Sequence, residues 1–363
     1  QKRWKDAYEK RTTPEQIAAY QKRLKAKFTE AVGGFPQRTP LEPQAVEKLQ
    51  RDGYRVEKVI FQSQPCHFVT AALFLPDPDR HKPPYPGILV PCGHSANGKG
   101  LVVYQKACAL AALNGMAALI FDPIDQGERH QLLDTKGKPR LASCAGHNMV
   151  GVGSMLLGRN TARFEIWDGM RGIDYLQSRP EVDPERIGCT GNSGGGTQTA
   201  YFMALDERIR CAAPSCYICG LFGRLLRQNG AQDAEQNIFG QLTFGMDHAD
   251  YCMMRATRPT LLCTATHDFF NIEDAWSTFR YAKRLYARLG HAERMSLVET
   301  DKPHGFSLRL REGAVHWMLR WLDRRDVPVA EPEDLKILTD AESQCSPKGE
   351  VMLLPGARSV YDL

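Results

Sequence analysis

Short apolar runs alternate with longer, helix-like segments through the middle of the chain, between residues 87 and 322. The runs are rich in Val, Ile, Leu, Ala and Cys, and turn-forming residues follow them. The longer segments repeat apolar residues every three or four positions, as amphipathic helices do. Strands that alternate with helices predict an α/β fold, with a mostly parallel sheet covered by helices on both faces.

The predicted elements follow directly from this pattern. Strands are predicted over residues 54–62, 67–75, 87–91, 117–121, 187–190, 209–213, 260–264 and 295–299. The first two are predicted to form an antiparallel hairpin at the sheet edge, because a short Gln-Pro-Cys turn joins them. Helices are predicted over residues 101–114, 161–177, 272–289 and 308–322, with a further helix directly after residue 193. These elements fill residues 53–326, which we interpret as one large domain.

Both ends of the chain depart from the alternation. Residues 1–52 are predicted to form an N-terminal arm on the main domain, with a helix first and an irregular stretch over 35–52. The helix carries one apolar stripe, formed by Ile17, Tyr20, Leu24 and Phe28. Residues 327–363 show no convincing element, which predicts a C-terminal tail across the surface or a linker into further sequence.

Two internal segments also lack periodicity. Residues 130–160 are predicted to be a long loop, and loops of that length usually carry function or cover a site. Residues 216–258 stand where a short loop and a helix are expected. We interpret them as a lid-like insertion that contributes to substrate binding.

Composition narrows the classes of partner. The 363 residues are 42% hydrophobic and 25% charged, as in globular proteins, and the net charge of +5 is spread along the chain. Without a basic block, nucleic acid is not an expected partner. No apolar run approaches the roughly 18 residues of a membrane span. The chain begins at Gln1 rather than Met, which indicates a processed or trimmed product and is compatible with a removed signal peptide.

The cysteine content adds little chemistry. There are 11 cysteines, so at least one is unpaired within the chain. Cys216 and Cys219 have the spacing of a redox or metal pair, but no second pair or histidine cluster stands at zinc spacing. Packing is the favoured interpretation, because buried cysteines usually behave as small hydrophobic residues. We expect neither a metal nor another cofactor, and the oligomeric state stays open.

The segment Gly191-Asn192-Ser193-Gly194-Gly195 lies between a predicted strand and a predicted helix. Strand, Gly-x-Ser-x-Gly and helix form a nucleophile elbow, in which a sharp turn exposes a serine hydroxyl. The turn is tight enough that side chains at the two outer glycines would collide with neighbouring elements. Ser193 is therefore the candidate nucleophile, and the backbone N–H of Gly194 is a candidate oxyanion donor.

A serine hydroxyl needs a base within hydrogen-bond reach, and the base needs an acid to orient it. We assign the base to His304, after the last predicted strand, and the acid to Asp268, after the preceding one. His267 and His94 are weaker candidates for the base. Alternatives for the acid are Asp301, Asp247, Asp250 and Glu235.

The loop after the strand 87–91 is the expected source of a second oxyanion donor. The backbone N–H of Ser95 or His94 is the candidate, because nearby glycines let the backbone approach a substrate closely; an ordinary flexible turn is the alternative. Arg129, Arg159 and Arg163 are candidates for binding a carboxylate or sugar hydroxyls, and His267 for lining the pocket.

Taken together, the motifs resemble the α/β-hydrolase superfamily, and within it the bacterial acetyl xylan esterase-like carbohydrate esterases, relatives of dienelactone hydrolase and prolyl oligopeptidase catalytic domains. The resemblance covers roughly residues 50–325. It rests on the elbow, on Asp268 with His304, and on Gly93-His94-Ser95-Ala96-Asn97-x-Lys99-Gly100, Asp122-x4-Gly127-Glu128 and Trp167-Asp168-Gly-Met-Arg171-Gly-Ile-Asp174-Tyr175-Leu176. Xylan acetyl esterases of the cephalosporin-deacetylase type usually carry Gln after the nucleophile, and glucuronoyl esterases carry Arg; here Gly194 follows Ser193.

The resemblance implies a cofactor-free serine esterase acting on esterified plant-type polysaccharide, with deacetylation of xylan as the first expectation. A uronic-acid methyl esterase acting on pectin or glucuronoyl esters is the alternative. A non-catalytic hydrolase-fold module that binds carbohydrate is an alternative of another class. A prolyl oligopeptidase-like peptidase is disfavoured, because no propeller-length region precedes the catalytic domain. A polysaccharide substrate also implies a secreted or periplasmic enzyme.

Overall fold

The computed structural model describes residues 9–221, 223 and 233–363. In this part of the chain one sheet runs through the whole domain. Its strands are β1 (Gln44–Arg51), β2 (Tyr54–Gln64), β3 (His67–Pro76), β4 (Tyr85–Pro91), β5 (Ala117–Phe121), β6 (Val182–Asn192), β7 (Ile209–Ser215), β8 (Thr260–His267) and β9 (Met295–Pro303). The order across the sheet is β1-β2-β3-β5-β4-β6-β7-β8-β9. The pairs β1–β2, β2–β3 and β3–β5 are antiparallel, and the other five pairs are parallel. The predicted, mostly parallel sheet with an edge hairpin is therefore confirmed.

Helices cover both faces of the sheet. The described helices are α1 (Pro14–Ala31), α2 (Val102–Leu113), α3 (Ser143–Leu156), α4 (Ala162–Ser178), α5 (Gly194–Leu205), α6 (His248–Met253), α7 (Ile272–Arg288), α8 (Leu308–Leu322) and α9 (Asp340–Ser343). Side chains of α2 and α8 share one apolar core, and those of α1, α4, α5 and α7 share the other. Successive residues of β3 enter opposite cores, Leu73 one and Phe74 the other. This alternation is why the central strands have no polar face.

The parallel strands end at one edge of the sheet. The last residues of β6, β8 and β9 are Asn192, His267 and Pro303. Ser193, Asp268 and His304 each follow one of these strand ends directly. Ligands of such sheets bind outside the carboxyl ends of the strands, so the candidate triad lies where this architecture builds its sites.

The N-terminal arm differs in part from its prediction. Helix α1 buries the predicted stripe, and Thr13 caps it with Pro14 in the first turn. The stretch predicted to be irregular contains β1, which pairs antiparallel with β2. The strand escaped the pattern because it is an edge strand, mostly exposed on both faces, so its sequence has no apolar alternation.

The predicted loop over residues 130–160 contains helix α3. Its sequence hides the helix because three glycines, Gly146, Gly151 and Gly153, interrupt it and weaken the helical signal. Two of them are required by packing: a Cβ at Gly146 would lie 2.3 Å from Cγ of Asp125, and one at Gly151 would lie 2.6 Å from Cβ of Ala234. Tertiary contacts, rather than propensity, hold α3 in place.

The C-terminal residues return to the body of the protein. Helix α9 and two short 3-10 turns, Val351–Leu353 and Val360–Asp362, follow α8. The Glu128 carboxylate accepts hydrogen bonds from the backbone N–H groups of Cys345 and Ser346, at 2.7 and 2.5 Å. No helix within the described part of the chain is long and apolar enough to cross a membrane.

Candidate active site

The backbone at Ser193 has the strained geometry that a nucleophile elbow requires. Its φ is 59° and its ψ is −124°, a left-handed region that residues other than glycine rarely adopt. A Cβ at Gly191 would lie 2.5 Å from the Pro91 carbonyl oxygen, and one at Gly195 would lie 2.2 Å from the same atom. Only glycine fits at both positions, as the sequence pattern predicts. The turn holds the Ser193 side chain at the end of β6, directly before helix α5.

Asp268 and His304 form a hydrogen-bonded pair. Nδ1 of His304 lies 2.9 Å from both carboxylate oxygens of Asp268. The backbone N–H of Phe270 donates to Oδ1 of Asp268 at 2.9 Å, which fixes the carboxylate. The Asp268 side chain is 1% exposed and the His304 side chain 23% exposed. The acid is therefore buried behind the imidazole, which keeps one edge open to the site.

Two sets of contacts connect the Asp268–His304 pair to the elbow. On one side, the Ser193 N–H donates to the Ser215 carbonyl oxygen at 3.0 Å. The next residue, Cys216, has its Sγ within 4.8 Å of side-chain donor atoms of Asp268 and His304. On the other side, the Tyr104 hydroxyl donates to the Asn192 carbonyl oxygen at 2.9 Å, and the Tyr104 ring lies 6.2 Å from that of Phe306.

The backbone around Gly194 forms a candidate oxyanion hole. Gly194 is the first residue of α5, so its N–H has no acceptor within the helix. The loop after β4 lies against it: a Cβ at Gly194 would be 3.1 Å from Cε1 of His94 and 3.4 Å from Cα of Gly93. The Ser95 N–H donates to Oε1 of Gln126 at 2.7 Å, so this candidate donor is already occupied. That leaves the N–H of His94 as the second candidate donor.

The chain matches the sequence model of the Abhydrolase family over residues 1–204, more than half of its length. The chain belongs to the abhydrolase family. The model of the Prolyl oligopeptidase family matches residues 155–325, the part that carries the elbow, Asp268 and His304. The two matches together span both halves of the sheet.

Known proteins similar to this abhydrolase agree in fold. YtaP of Bacillus subtilis, a candidate hydrolase, is 25% identical over 310 residues, which cover 80% of this chain and 96% of YtaP. The solved structure of methylesterase BT1017 superposes with a TM-score of 0.76 at 21% identity, covering 95% of this chain and 73% of that one. A candidate acetyl xylan esterase of Bacteroides fragilis gives a TM-score of 0.64 at 20% identity, covering 79% of this chain and 76% of that one. These likenesses show the α/β-hydrolase fold.

The alternative acids have other partners in the structure. Asp301 pairs with the exposed His267 at 2.7 Å. Asp247 caps helix α6, and Asp250 accepts a hydrogen bond from the Tyr20 hydroxyl of the N-terminal arm. Glu235 contacts His94 and His147. None of these contacts involves His304.

Arg129 is a correction to the sequence analysis. Its side chain is fully buried, and its Nη1 lies 2.7 Å from Oδ2 of Asp168. The same guanidinium donates to the carbonyl oxygens of Phe68 and Asp122, both at 2.9 Å. A buried arginine whose donors are satisfied inside the protein has none to offer a substrate. Arg129 is a structural residue that ties β3 to α4.

The other predicted substrate contacts lie in different surroundings. Nε of Arg163 donates to the Gly34 carbonyl oxygen at 2.8 Å, on the N-terminal arm. Arg159 packs beside Gly33 and donates weakly to the carbonyl oxygen of Leu363. His267 is 64% exposed and turned to Asp301. The structure thus directs these side chains to the arm, the C-terminus and solvent.

The structure describes only part of the predicted insertion 216–258. Residues 222 and 224–232 lie outside the described residues. The described remainder contains the 3-10 turn Ala234–Gln236 and helix α6. No disulfide joins Cys216, Cys219 or the other cysteines of the described residues. Sγ of Cys216 donates to the Gly305 carbonyl oxygen at 3.6 Å, so it packs under the His304 loop rather than pairing with Cys219.

One buried cluster next to the elbow was not predicted. Nε2 of His94, Nδ1 of His147 and the Glu235 carboxylate lie within 3.1 to 3.2 Å of one another. Burial alone would lower the pKa of both imidazoles. The neighbouring carboxylates outweigh it and raise the pKa of His147 to about 9. Hydrogen bonds to Cys144 and Glu235 contribute at His94, where the pKa rises to about 11. No sequence signal groups these residues, since each comes from a different segment.

Proposed function

We propose that this abhydrolase is a serine esterase that hydrolyses carboxylic esters through Ser193, His304 and Asp268. The observation that carries the proposal is the buried Asp268 carboxylate at 2.9 Å from Nδ1 of a half-open imidazole, beside a serine with a strained elbow backbone. An aspartate on Nδ1 fixes the tautomer that leaves Nε2 able to accept a proton. We further propose residues 53–326 as the catalytic domain, with residues 1–52 as an N-terminal arm and residues 327–363 as a C-terminal tail.

In the proposed reaction, His304 takes the proton of the Ser193 hydroxyl as its oxygen attacks the ester carbonyl. The N–H groups of Gly194 and His94 stabilise the negative oxygen of the tetrahedral intermediate. The protonated His304 then donates to the departing alcohol oxygen, which leaves an acyl-enzyme. Water, activated by the same imidazole, releases the acid and restores Ser193. Every proposed step is a proton transfer or an acyl transfer.

For the substrate we propose an acetylated plant-type polysaccharide, with xylan as the first candidate. The likeness to an acetyl xylan esterase supports it. A methyl-esterified uronic acid is the second candidate, favoured by the likeness to a methylesterase over 95% of this chain. The two substrates give different products, acetate and methanol. Hydrolysis of either polymer places the proposed enzyme outside the cytoplasm, in the periplasm or the medium.

The test compares the wild type with Ser193→Ala on a small aryl acetate, and then on acetylated xylan and methyl-esterified pectin. Ser178→Ala, at the far end of helix α4, serves as a matched serine control. The proposal expects aryl acetate hydrolysis that only Ser193→Ala abolishes, and acetate release from xylan that exceeds methanol release from pectin. The opposite product ratio selects the methyl esterase. Equal rates for wild type and Ser193→Ala contradict the esterase, and polymer binding without turnover supports the carbohydrate-binding alternative.

A further inference from the structure

We propose that His94, His147 and Glu235 form a binding site for a divalent transition-metal ion such as Zn²⁺, next to the candidate oxyanion hole. The proposal stands independently of the esterase function, because it rests on a cluster outside the Ser193, His304 and Asp268 group. The sequence analysis expected no metal, since the three ligands come from the loop after β4, from α3 and from the turn Ala234–Gln236.

Two imidazole nitrogens and one carboxylate form a compact triangle of groups, with one donor atom of each within 4.8 Å of the others. Nε2 of His94 lies 3.2 Å from Nδ1 of His147. The Glu235 carboxylate reaches both, with Oε1 at 3.1 Å from His94 Nε2 and Oε2 at 3.1 Å from His147 Nδ1. Zinc binds nitrogen and oxygen ligands at about 2.0–2.2 Å, and a tetrahedral shell with such bonds has edges of about 3.3 Å. Each of these separations is therefore close to one ligand-to-ligand edge of a metal shell.

The protonation pattern of His147 directs a lone pair into this triangle. Its Nε2 lies 2.8 Å from the Ile124 carbonyl oxygen, which only accepts, so Nε2 carries a proton. When a metal ion replaces the second proton of the ring, Nδ1 is the atom with the lone pair, and it faces the Glu235 carboxylate. Two acceptors at this distance need a positive charge between them. A backbone carbonyl that fixes the tautomer in this way is the usual second-shell partner of a metal-binding histidine.

Protons on the two rings supply that positive charge in the metal-free cluster, and a bound metal ion would replace them. Charge-assisted N–H···O hydrogen bonds are typically about 2.7–2.9 Å long. The Asp268–His304 pair, at 2.9 Å, is within that range. The three contacts among His94, His147 and Glu235 are all longer, and one of them joins two imidazole nitrogens. An ion inside the triangle satisfies all three lone pairs at once.

Other groups complete the site. His147 and Glu235 are each 1% exposed in their side chains, whereas His94 is partly open. Asp233 Oδ2 lies 3.5 Å from Nε2 of His94 and offers a fourth ligand at the open side. Sγ of Cys144, Asp233 and His94 also have donor atoms within 4.8 Å of one another. Two imidazoles and a carboxylate, with Asp233 beside the fourth position, form a donor set that suits zinc.

The position of His94 gives the site a consequence for the elbow. Its ring is a ligand, its backbone N–H is a candidate oxyanion donor, and its Cε1 lies 3.1 Å from where a Cβ of Gly194 would be. A bound ion would lock the loop after β4 and add positive charge beside Gly194. Loss of the ion is expected to loosen this loop before it affects Asp268 or His304.

The experiment loads chelator-treated, full-length protein with Co²⁺, a zinc substitute with a visible spectrum, and with Zn²⁺ in calorimetric titration. The expected result is one ion per chain, a visible Co²⁺ band and a higher Tm. Glu235→Gln, which keeps the side-chain shape, is expected to weaken Zn²⁺ binding by about 100-fold, the upper end of the range seen even for residues that only support metal ligands. His267→Ala removes an exposed histidine beside an aspartate and serves as the control that keeps binding.

Metal binding by the wild type is enough to test whether the site exists, so the test does not depend on whether a variant folds. Absence of a Co²⁺ band and of Zn²⁺ uptake at micromolar concentration in the wild type overturns the proposal, and the cluster is then a proton-held ion network. Unchanged Zn²⁺ binding by Glu235→Gln, or its loss in His267→Ala, overturns the assignment equally. Absence of esterase activity in a protein that still binds Zn²⁺ contradicts the proposed function alone.

Discussion

Two groups of histidine and carboxylate flank Ser193, and they differ in how many imidazoles share the carboxylate. Asp268 serves one ring, His304, which is partly open and 2.9 Å away. Glu235 serves two rings, His94 and His147, at 3.1 Å each, and is itself almost fully buried. We therefore propose that the same kinds of group form a proton-transfer pair in one place and a cation site in the other. Burial and the number of nitrogens per carboxylate decide the difference.

The largest loss of activity is expected when the candidate nucleophile is removed. Ser193→Ala is expected to reduce kcat on an aryl acetate by at least about 1,000-fold, because the acyl-enzyme can no longer form. The fold is expected to persist, since Ala removes only a hydroxyl at a backbone conformation that is unchanged. Stopped-flow or steady-state absorbance measures the rate, and circular dichroism checks the fold. A rate within tenfold of wild type assigns the chemistry to another residue.

Asp268→Asn is expected to lower kcat by about 100-fold to 10,000-fold. An amide favours the wrong tautomer of His304, and it carries no negative charge to stabilise the imidazolium that forms during the reaction. Its effect on Zn²⁺ binding is expected to be negligible if the two clusters are independent. Asp301→Asn is the matched control on the neighbouring strand-end loop. A larger loss of kcat in Asp301→Asn than in Asp268→Asn moves the acid to Asp301.

In contrast to Asp268→Asn, Glu235→Gln is expected to lower the stability of the fold more than the rate of hydrolysis. Removing the charge from a buried ion cluster leaves two imidazoles without their counter-charge, which costs about 3 kcal/mol of unfolding free energy. Urea unfolding of chelator-treated wild type and variant measures it. We expect kcat to fall by only about tenfold, through the loop that carries His94. A catalytic loss as large as that of Asp268→Asn, with unchanged stability, makes Glu235 part of the proton-transfer machinery.

Asp250 is another buried carboxylate, on helix α6. Burial raises its pKa from the ordinary 3.8 to about 6, although hydrogen bonds from the Asp247 backbone and Tyr20 and the charge of Arg11 oppose the shift. A raised carboxyl pKa favours the protonated folded state, so its stabilising contribution is present below pH 4 and is lost as pH rises through 6. Asp250→Asn is expected to be up to about 2 kcal/mol more stable relative to wild type at pH 8 than at pH 4.

That relative gain is measured by urea unfolding at several pH values between 4 and 8. Asp247→Asn, the neighbouring cap of α6, controls for loss of helix capping. A stability difference between Asp250→Asn and wild type that stays constant over this range contradicts a buried, titrating Asp250.

The smallest effects on stability and hydrolysis are expected for the exposed pair His267–Asp301. Its side chains are 64% and 86% exposed, and surface ion pairs contribute well under about 1 kcal/mol. His267→Ala is expected to leave Tm within about 2 °C and aryl acetate hydrolysis within about twofold of wild type. A larger fall in hydrolysis would restore the sequence-based hypothesis that His267 lines the pocket.

Regular elements with strong periodicity were predictable. Helix α8 has the predicted bounds, α4 is displaced by one residue at each end, and α7 ends one residue early. The agreement is close because the apolar stripes of these helices coincide with their buried faces. Strand β1 and helix α3 were missed. The first is an exposed edge strand, and the second is rich in glycine, so contacts with β2 and with the turn Ala234–Gln236 stabilise them rather than local propensity.

The sequence by itself determined the elbow and the order Ser193, Asp268, His304, because strand-turn-helix spacing and steric limits on backbone φ are local. Only the tertiary structure decided which carboxylate meets which imidazole. It gave Asp268 to His304, Asp301 to His267 and Glu235 to His94. It also buried Arg129 and brought His147 to Glu235, 88 positions apart. Hydrogen bonds and lone pairs act over about 3 Å, a separation that distance along the chain does not specify.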